Sequence, residues 1–348
     1  MLYCLAEEDK EIDMRKVVWL NHWFSTAYNI INLIKQDEYL DFYIIGTNKL
    51  ENSVLKPVCD EWYKEPEDAP NEDYINFCFE FCKAHGVDIF IPHRYLKLVS
   101  QYKQKFKDIG VKVMVDDYEI VSILNDKNKA YDFFENHNFI SVPDHFVVET
   151  LDDFLQAYNK LESDYGQVCF KFVKDEGGKS YRLIDNNRKG YTALFEKQNT
   201  RMTLELVIEA LSEKERFSPI MVMPFLSGDE ISIDCLRTNT GTIMIPRVKD
   251  STRFEMVKYD PDILFLCEKV LEKTKLECPC NVQFKYLNNI PYFLEVNTRM
   301  SGGIHMTCLA SGINIPNIAI NKLLGVDKEW INKREERIIS QVELPVIL

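Results

Sequence analysis

The 348-residue chain has no long apolar run. None approaches the roughly 20 residues of a membrane span, so no spanning helix is expected. Positive charge is also in deficit. Lys and Arg number 42 against 55 Asp and Glu, a net charge of −13. That balance disfavours nucleic acid or an anionic membrane as the main partner, although excess acid also serves simply to solubilise a surface. Histidine is scarce, with six in the chain. Cys278-Pro279-Cys280 has neither a second cysteine pair nor a histidine cluster beside it, which leaves no zinc framework. The N-terminal lobe lacks both G-x-G-x-x-G and G-x-x-x-x-G-K-[ST], so a dinucleotide fingerprint and a P-loop are not expected. Internal repeats and low-complexity stretches are missing too. Met1–Ala6 is too short for a secretory core, and acidic residues follow it at once. The ten cysteines lie among apolar neighbours, as in Phe77-Cys78-Phe79. They read as buried reduced thiols of a cytoplasmic protein.

What is present is an ordinary globular composition, 46% hydrophobic and 28% charged, long enough for two or three packed lobes. Over the first 115 residues short apolar runs (Lys16–Leu20, Phe42–Gly46, Val87–Pro92, Val111–Val115) alternate with helical segments (Ser25–Lys35, Asp73–His85, then a helix to about Asp108). Alternation of this kind predicts a parallel sheet with helical crossovers, α/β in class. The polar-aromatic loop Asn21–Thr26 follows the first strand, a usual place for ligands in such sheets and equally a place where aromatics pack under a helix. Residues 117–138 read as two helices with Asn125-Asp126 capping the second. Two α+β halves follow. The first holds a helix over Leu151–Leu161, a strand at V-C-F-K-F-V, a turn at Asp175–Gly178, a strand at K-S-Y-R-L-I and a helix over Arg201–Leu211. The expected units are 1–115, 116–218, 219–330 and a tail, 331–348.

The richest stretch is 281–303, NVQFKYLNNIPYFLEVNTRMSGG. It reads as two strands joined at Asn288-Asn289. Gln283 lies on the face opposite Val282 and Phe284, and Glu295 and Asn297, two apart, point the same way. An amide, a carboxylate and a second amide thus gather, with Arg299 just beyond. Hard oxygen ligands of this kind suit Mg²⁺ held jointly with substrate phosphates. The chemistry implied is phosphoryl transfer from a nucleotide.

N-V-Q-F and F-L-E-V-N-T-R resemble the metal-binding signature of the ATP-grasp superfamily, in particular the branch of carbamoyl-phosphate synthetase large subunits and related carboxylate–amine ligases. The likeness runs over roughly residues 88–325. It implies a parallel-sheet (pre-ATP-grasp) lobe followed by a two-subdomain ATP-grasp fold. It implies Gln283, Glu295 and Asn297 as ligands of Mg²⁺ (or Mn²⁺), and Arg299 and Lys171 as the catalytic cations on the transferred phosphoryl group. ATP would also be held by Lys127, by Gly177 and Gly178 of a short phosphate-covering loop, by Met223 and Phe225 beside adenine, and by Glu230 on the ribose. One departure stands out: many relatives have Glu where this chain has Pro224, which removes an acid and a backbone N–H.

The implied enzyme is an ADP-forming ligase that activates a small-molecule carboxylate as an acyl phosphate and joins it to an amine. A small-molecule kinase and a catalytically silent ATP-binding regulatory module are the alternatives. With no second catalytic half and no glutaminase, carbamoyl phosphate is not the expected product. The implied partners are small molecules, and a homodimer is allowed. Arg247, Arg253 and His305 are further candidates for substrate contact. The basic set Arg237, Arg247, Lys249 and Arg253 either binds an anion or lines a solvated strand edge.

Overall fold

The computed structural model describes residues 15–67, 69–174, 179–187, 200–249 and 254–348. Its first part is the parallel sheet that the alternation predicts. Strands β1 (Arg15–Leu20), β2 (Asp41–Asn48), β3 (Glu61–Lys64), β4 (Ile89–Ile91) and β5 (Lys112–Val113) lie in the order β3-β2-β1-β4-β5. Each neighbouring pair is parallel. Helices α1 (Ala27–Ile34), α2 (Asn71–Ala84), α3 (Leu96–Gln101) and α4 (Lys103–Asp108) connect and cover them. The strands are apolar on both faces because both are covered. Val18, Leu20 and Ile89 face one core, while Trp19 and Phe90 stack at 3.9 Å in the other. The single helix expected to reach Asp108 is two, divided at Tyr102. Strand β3 was not legible in E-W-Y-K, where Glu61 accepts the Tyr43 and Tyr63 hydroxyls instead of contributing apolar surface.

Helices α5 (Tyr118–Leu124) and α6 (Lys127–His137) lead to the second sheet. Asp126 caps α6 by accepting the Lys129 N–H, as the sequence suggests. Then come β6 (Phe146–Val148), α7 (Leu151–Tyr165), β7 (Val168–Phe172), β8 (Arg182–Ile184), β9 (Arg201–Met202), α8 (Leu204–Ser212) and β10 (Ile220–Pro224), with strand order β6-β10-β7-β8-β9. Two expectations are corrected. The helix placed from Arg201 begins at Leu204, because Thr203 caps it by accepting the Leu206 N–H. Ile220–Pro224, expected to open the third unit at 219, lies inside the second sheet between β6 and β7. All five of its residues are buried, as a run covered on both faces must be.

The third sheet carries β11 (Glu230–Thr238), β12 (Gly241–Lys249), β13 (Phe254–Val257), β14 (Cys280–Leu287), β15 (Ile290–Asn297) and β16 (Arg337–Ser340) in the antiparallel order β15-β14-β11-β12-β13-β16. Helices α9 (Pro261–Thr274), α10 (Ile304–Ser311) and α11 (Ile315–Leu324) pack with it. The segment 331–348, expected as a tail, supplies β16 against β13. Helix α9 was also unanticipated. It is capped by Asp260 with Pro261 at its first position, and it buries Ile263, Cys267, Val270 and Leu271, an i, i+4, i+7, i+8 stripe.

The first lobe and the third sheet share a core. Leu20, Ile31 and Ile91 cluster with Leu236, Ile245, Ile304 and Ile320. Asp37, just after α1, takes the side-chain amides of Asn317 and Asn321 on α11 at 3.0 and 2.7 Å. The hairpin β14–β15 turns through Asn288 and Asn289, both at positive φ, as a two-residue turn of this hand requires. Phe293 is fully buried, packed on Phe134 at 4.3 Å between ring centroids. Phe293→Ala is expected to lose ~3–5 kcal/mol of unfolding free energy. Urea denaturation measures this, and an unchanged midpoint would contradict the packing.

Candidate active site

Side chains alternate along a strand, so every second residue of β11, β12, β14 and β15 faces the same way. The register sets these residues in rows. Lys249, Glu230 and Lys285 form one row, and Arg247, Ser232, Gln283 and Glu295 the next. Asp234, Asn281 and Asn297 form a third. Between Gln283 and Phe284 the ladder slips: Gln283 pairs with Glu295, but Phe284 pairs with Phe293. Leu294 is the extra residue of this bulge. Phe293 and Val296 therefore both enter the core, while Glu295 and Asn297 stay on the polar face.

Hydrogen bonds order that face. Gln283 Nε2 donates to Asn281 Oδ1 at 2.9 Å, and Asn297 Nδ2 donates to Glu295 Oε1 at 3.0 Å. Asn281 Nδ2 donates to Ser232 Oγ at 3.0 Å and to Asp234 Oδ1 at 2.8 Å. An amide that spends its NH₂ on a neighbour keeps its carbonyl oxygen for a cation. Gln283 and Asn297 fit a hard divalent ion in this way. Among the described residues no group of three or more His, Cys, Asp and Glu is placed to hold a metal. A cation on this face would thus be held by one carboxylate and amide oxygens.

Two lysines reach the face from elsewhere. Lys127, the first residue of α6, places Nζ 3.0 Å from Glu295 Oε2. Lys171, on β7, is buried. Its burial, and next the Lys127 charge beside it, push the ammonium down to about 8. For Glu295 burial acts upward, but Lys127 and Lys171 outweigh it and hold the carboxyl below its ordinary range. The result is a preformed electropositive corner with one ionised carboxylate in it.

These groups line a cleft of about 1080 Å³ where the three sheets meet. Met223, Phe225 and Glu230 line its other end, with Leu226 and Tyr181. Glu230 is held by Lys249 at 2.8 Å and Lys285 at 3.7 Å. Pro224 O accepts the Cys169 thiol, and the Phe225 N–H donates to Gln167 O at 2.8 Å. Gly228 packs its backbone on Tyr286, where an added Cβ would stand 2.7 Å from the Tyr286 Cβ. Gly177, Gly178 and Arg253 lie outside the described residues.

The basic set is divided. Arg247 is buried in the cleft wall, its guanidinium shared among Asp234, Glu255, Thr307 and Ser301. Its head lies flat on Gly303, which has no side chain to displace it. Arg237 is three residues from Asp234 on β11 and so faces away, nearest Glu277 at 4.0 Å. Arg299 lines the cleft beyond Asn297. Its charge reaches His22 and His93, whose imidazoles burial and Arg299 keep neutral, His22 down to about 3. His305 sits at the start of α10 and is not among the residues that line the cleft. Sequence reasoning missed Asn281, the loop His93–Tyr95 and Lys97 in the first turn of α3. The signal was available for the loop, which follows the carboxyl end of β4.

Residues 216–344 match the model of a family described as ATP-grasp in the biosynthetic pathway with Ter operon. Among curated proteins, the bifunctional purine biosynthetic protein PUR2,5 of Pichia angusta is 23% identical over 212 residues, 60% of this chain and 23% of that protein. The carbamoyl phosphate synthase large chain of Pseudothermotoga lettingae is 18% identical over 315 residues, 88% of this chain and 27% of that protein. The chain spans about a quarter of the length of these two relatives. N5-carboxyaminoimidazole synthetase from Staphylococcus aureus complexed with ADP superposes with a TM-score of 0.68 at 13% identity, covering 90% of this chain and 78% of that one. L-amino acid ligase from Bacillus licheniformis does so at 0.62 and 12%, covering 88% and 74%. At such identities the likeness establishes the fold.

The Lys171 shift carries a sign. Its folded value, about 8, lies below the ordinary 10.5. The unfolded chain therefore binds more protons between these values, and stability rises with pH through that window. Unfolding free energies of nucleotide-free wild type and Lys171→Met, measured from pH 7.5 to 10, should diverge in slope, the rise being smaller in the variant. Parallel curves would show that Lys171 is not strained as described.

Proposed function

We propose that this chain, which carries an ATP-grasp domain, is an ATP- and Mg²⁺-dependent ligase that activates a small-molecule carboxylate and joins it to an amine, releasing ADP and phosphate. The observation that carries the proposal is the convergence of Gln283, Glu295, Asn297, Lys127 and Lys171 on one face of one cleft. The PUR2,5 and carbamoyl phosphate synthase likenesses, and the match to solved ligases, support the same class.

In this reading ATP lies with its base at the apolar end. Met223, Leu226 and Phe225 pack adenine. The Phe225 N–H is already engaged by Gln167, so the base is held more by stacking than by the linker backbone. Glu230, paired with Lys249 and Lys285, accepts the ribose hydroxyls. Bound Mg²⁺ would neutralise phosphate charge, with Gln283, Glu295 and Asn297 as its protein ligands. Lys127 now pairs with Glu295, and on metal binding it is free to turn to the phosphates. Lys171 sits in a dry site with a depressed pKa, and phosphate oxygens would restore its full charge.

A substrate carboxylate oxygen attacks the γ-phosphorus, the bond to the β-phosphate oxygen breaks, and ADP leaves. The amine nitrogen then bonds to the acyl carbon, phosphate leaves, and the amine loses a proton. Arg299 and Lys171 meet the charge that moves during transfer. Catalysis is thus mainly positioning and electrostatics. Buried cysteines, each a free thiol among the described residues, accord with a reducing, cytoplasmic setting.

ATP with Mg²⁺ should raise the melting temperature, because a ligand of the folded state alone stabilises it. Glu295→Gln should abolish ADP release while leaving the fold intact. Arg299→Lys should retain the ATP-induced shift and lose most of kcat, since a forked guanidinium contact strengthens in the transition state. Hydroxylamine should trap the activated acid as a hydroxamate. Release of AMP and pyrophosphate would mean an adenylating enzyme, and no shift with millimolar ATP would sink the reading.

A further inference from the structure

A further wall of the cleft comes from the loop Pro92–Tyr95, between β4 and α3, and from Lys97 in the first turn of α3. This loop is held unusually firmly. Asn21 Oδ1 accepts the backbone N–H groups of His93 and Arg94 at 2.6 and 3.2 Å. Its amide donates to Tyr74 Oη at 2.8 Å and to Arg94 O at 3.0 Å. Arg94 Nη1 donates to Glu65 Oε2 at 2.8 Å and to Pro66 O at 3.1 Å. Glu65, itself buried, also takes the Thr47 hydroxyl. This network fixes Tyr95 at φ 56, the left-handed region that a bulky residue avoids unless its surroundings force it. The consequence is that His93, Tyr95 and Lys97 all line the cleft.

Charge on this wall is of one sign. The chain holds 55 carboxylates against 42 cations, yet among the described residues only Glu230, Glu255 and Glu295 line the cleft as carboxylates. Each is clasped by a cation in it: Glu230 by Lys249, Glu255 by Arg247 and Glu295 by Lys127. Lys97 has no carboxylate partner among the described residues. Its Nζ lies 6.0 Å from the Tyr118 ring centre, a weak contact. His93 Nδ1 is buried with no hydrogen-bond partner among the described residues. Burial, then the neighbouring His22 and the Arg299 charge, keep that imidazole neutral, so it adds no charge to the wall. A buried polar atom without a partner is uncommon.

We propose that the acid activated by this enzyme carries a second anionic group, remote from the reacting carboxylate, which Lys97 reads at the β4 wall with His93 beside it. The inference rests on the ligase reading. Arg299 and Lys171 serve the reacting carboxylate and the phosphates, and Lys97 serves the distal charge. A second carboxylate and a phosphate ester both have the required chemistry. Lys97 is a specificity-determining residue here, and Asn21, Glu65 and Arg94 position the loop that leads into its helix.

The test is ADP release by the full chain with ATP, Mg²⁺ and hydroxylamine as nucleophile. The acids compared are monoanions (propionate, butyrate), dicarboxylates (succinate, glutarate) and a phosphorylated acid (3-phosphoglycerate). At least one dianion should exceed the monoanions by about tenfold or more in kcat/KM, the size of one charge-assisted contact. Whether succinate and glutarate or 3-phosphoglycerate leads identifies the second group. Lys97→Met should bring that ratio towards one while the ATP-induced melting shift stays as in wild type, and Lys97→Arg should keep the preference. Equal rates for monoanions and dianions, or an undiminished preference in Lys97→Met, would overturn the proposal. Absence of turnover with every dianion, with the nucleotide shift intact, would overturn it as well. Loss of the nucleotide shift in wild type would instead overturn the ligase reading beneath it.

Discussion

The one-residue slip between β14 and β15 lets a single hairpin serve both the core and the site. In an unbroken ladder Phe293 and Glu295, two apart, would share a face. Phe293 would then stand among polar ligands, or Glu295 would be driven among phenylalanines. Leu294 absorbs the difference, and Phe293 joins Phe284 and Val296 inside while Glu295 and Asn297 remain beside Gln283 and Asn281. Everything else in the cleft is registered on that face, through β11 to Ser232 and Asp234 and through β12 to Arg247 and Lys249.

The polar face lies next to a closed apolar layer, so its charges cannot rely on bulk water. Each carboxylate in the cleft is accordingly clasped by a cation, and the buried Asp234–Arg247 pair is completed by Thr307, Ser301 and Glu255. Arg247 could not be a mobile substrate hook in such a setting. Taking one partner away would leave an uncompensated buried charge, a costly state. It serves instead to hold the Ser301–Gly303 turn against the sheet, with Gly303 present because the guanidinium occupies the place of a side chain. Lys171 is the exception. It is a buried cation whose burial, and next the Lys127 charge, hold its ammonium down to about 8.

The cleft keeps its width because two of its walls belong to one body. The parallel sheet and the third sheet share a continuous core through α1, α10 and α11, and Asp37 joins Asn317 and Asn321 across it. Burial opposes ionisation of Asp37, but the Tyr39 and Leu40 N–H groups and the two amides overcome this and hold its carboxyl well below the usual range. The β4 loop and the face carrying Gln283 and Glu295 therefore belong to elements joined by one core. The second sheet, with its own core under α7, contributes Lys171 and Met223 from the remaining side.

Local chemistry made some of this legible from the amino acids alone. Alternation named the strands of the hairpin, Asn288-Asn289 named its turn, and Asp126 named the start of α6. Gln283, Glu295 and Asn297 could be put on one face because strand periodicity is a property of the backbone itself. Other features depended on residues far apart in the chain. β10 has the pattern of any buried run, and only its partners β6 and β7 show to which sheet it belongs. β16 gains its identity from β13, some eighty residues earlier, and β3 from the edge it completes. The parity that turns Arg247 into the cleft and Arg237 away was countable, but which face was the site depended on β14. His93 came to line the cleft on a loop held by Asn21, more than seventy residues away, and Lys97 follows it in the first turn of α3. Periodicity and capping act over a few residues and are written in the sequence. Pairing, burial and the field at a lysine are sums over distant neighbours, which only the folded chain brings together.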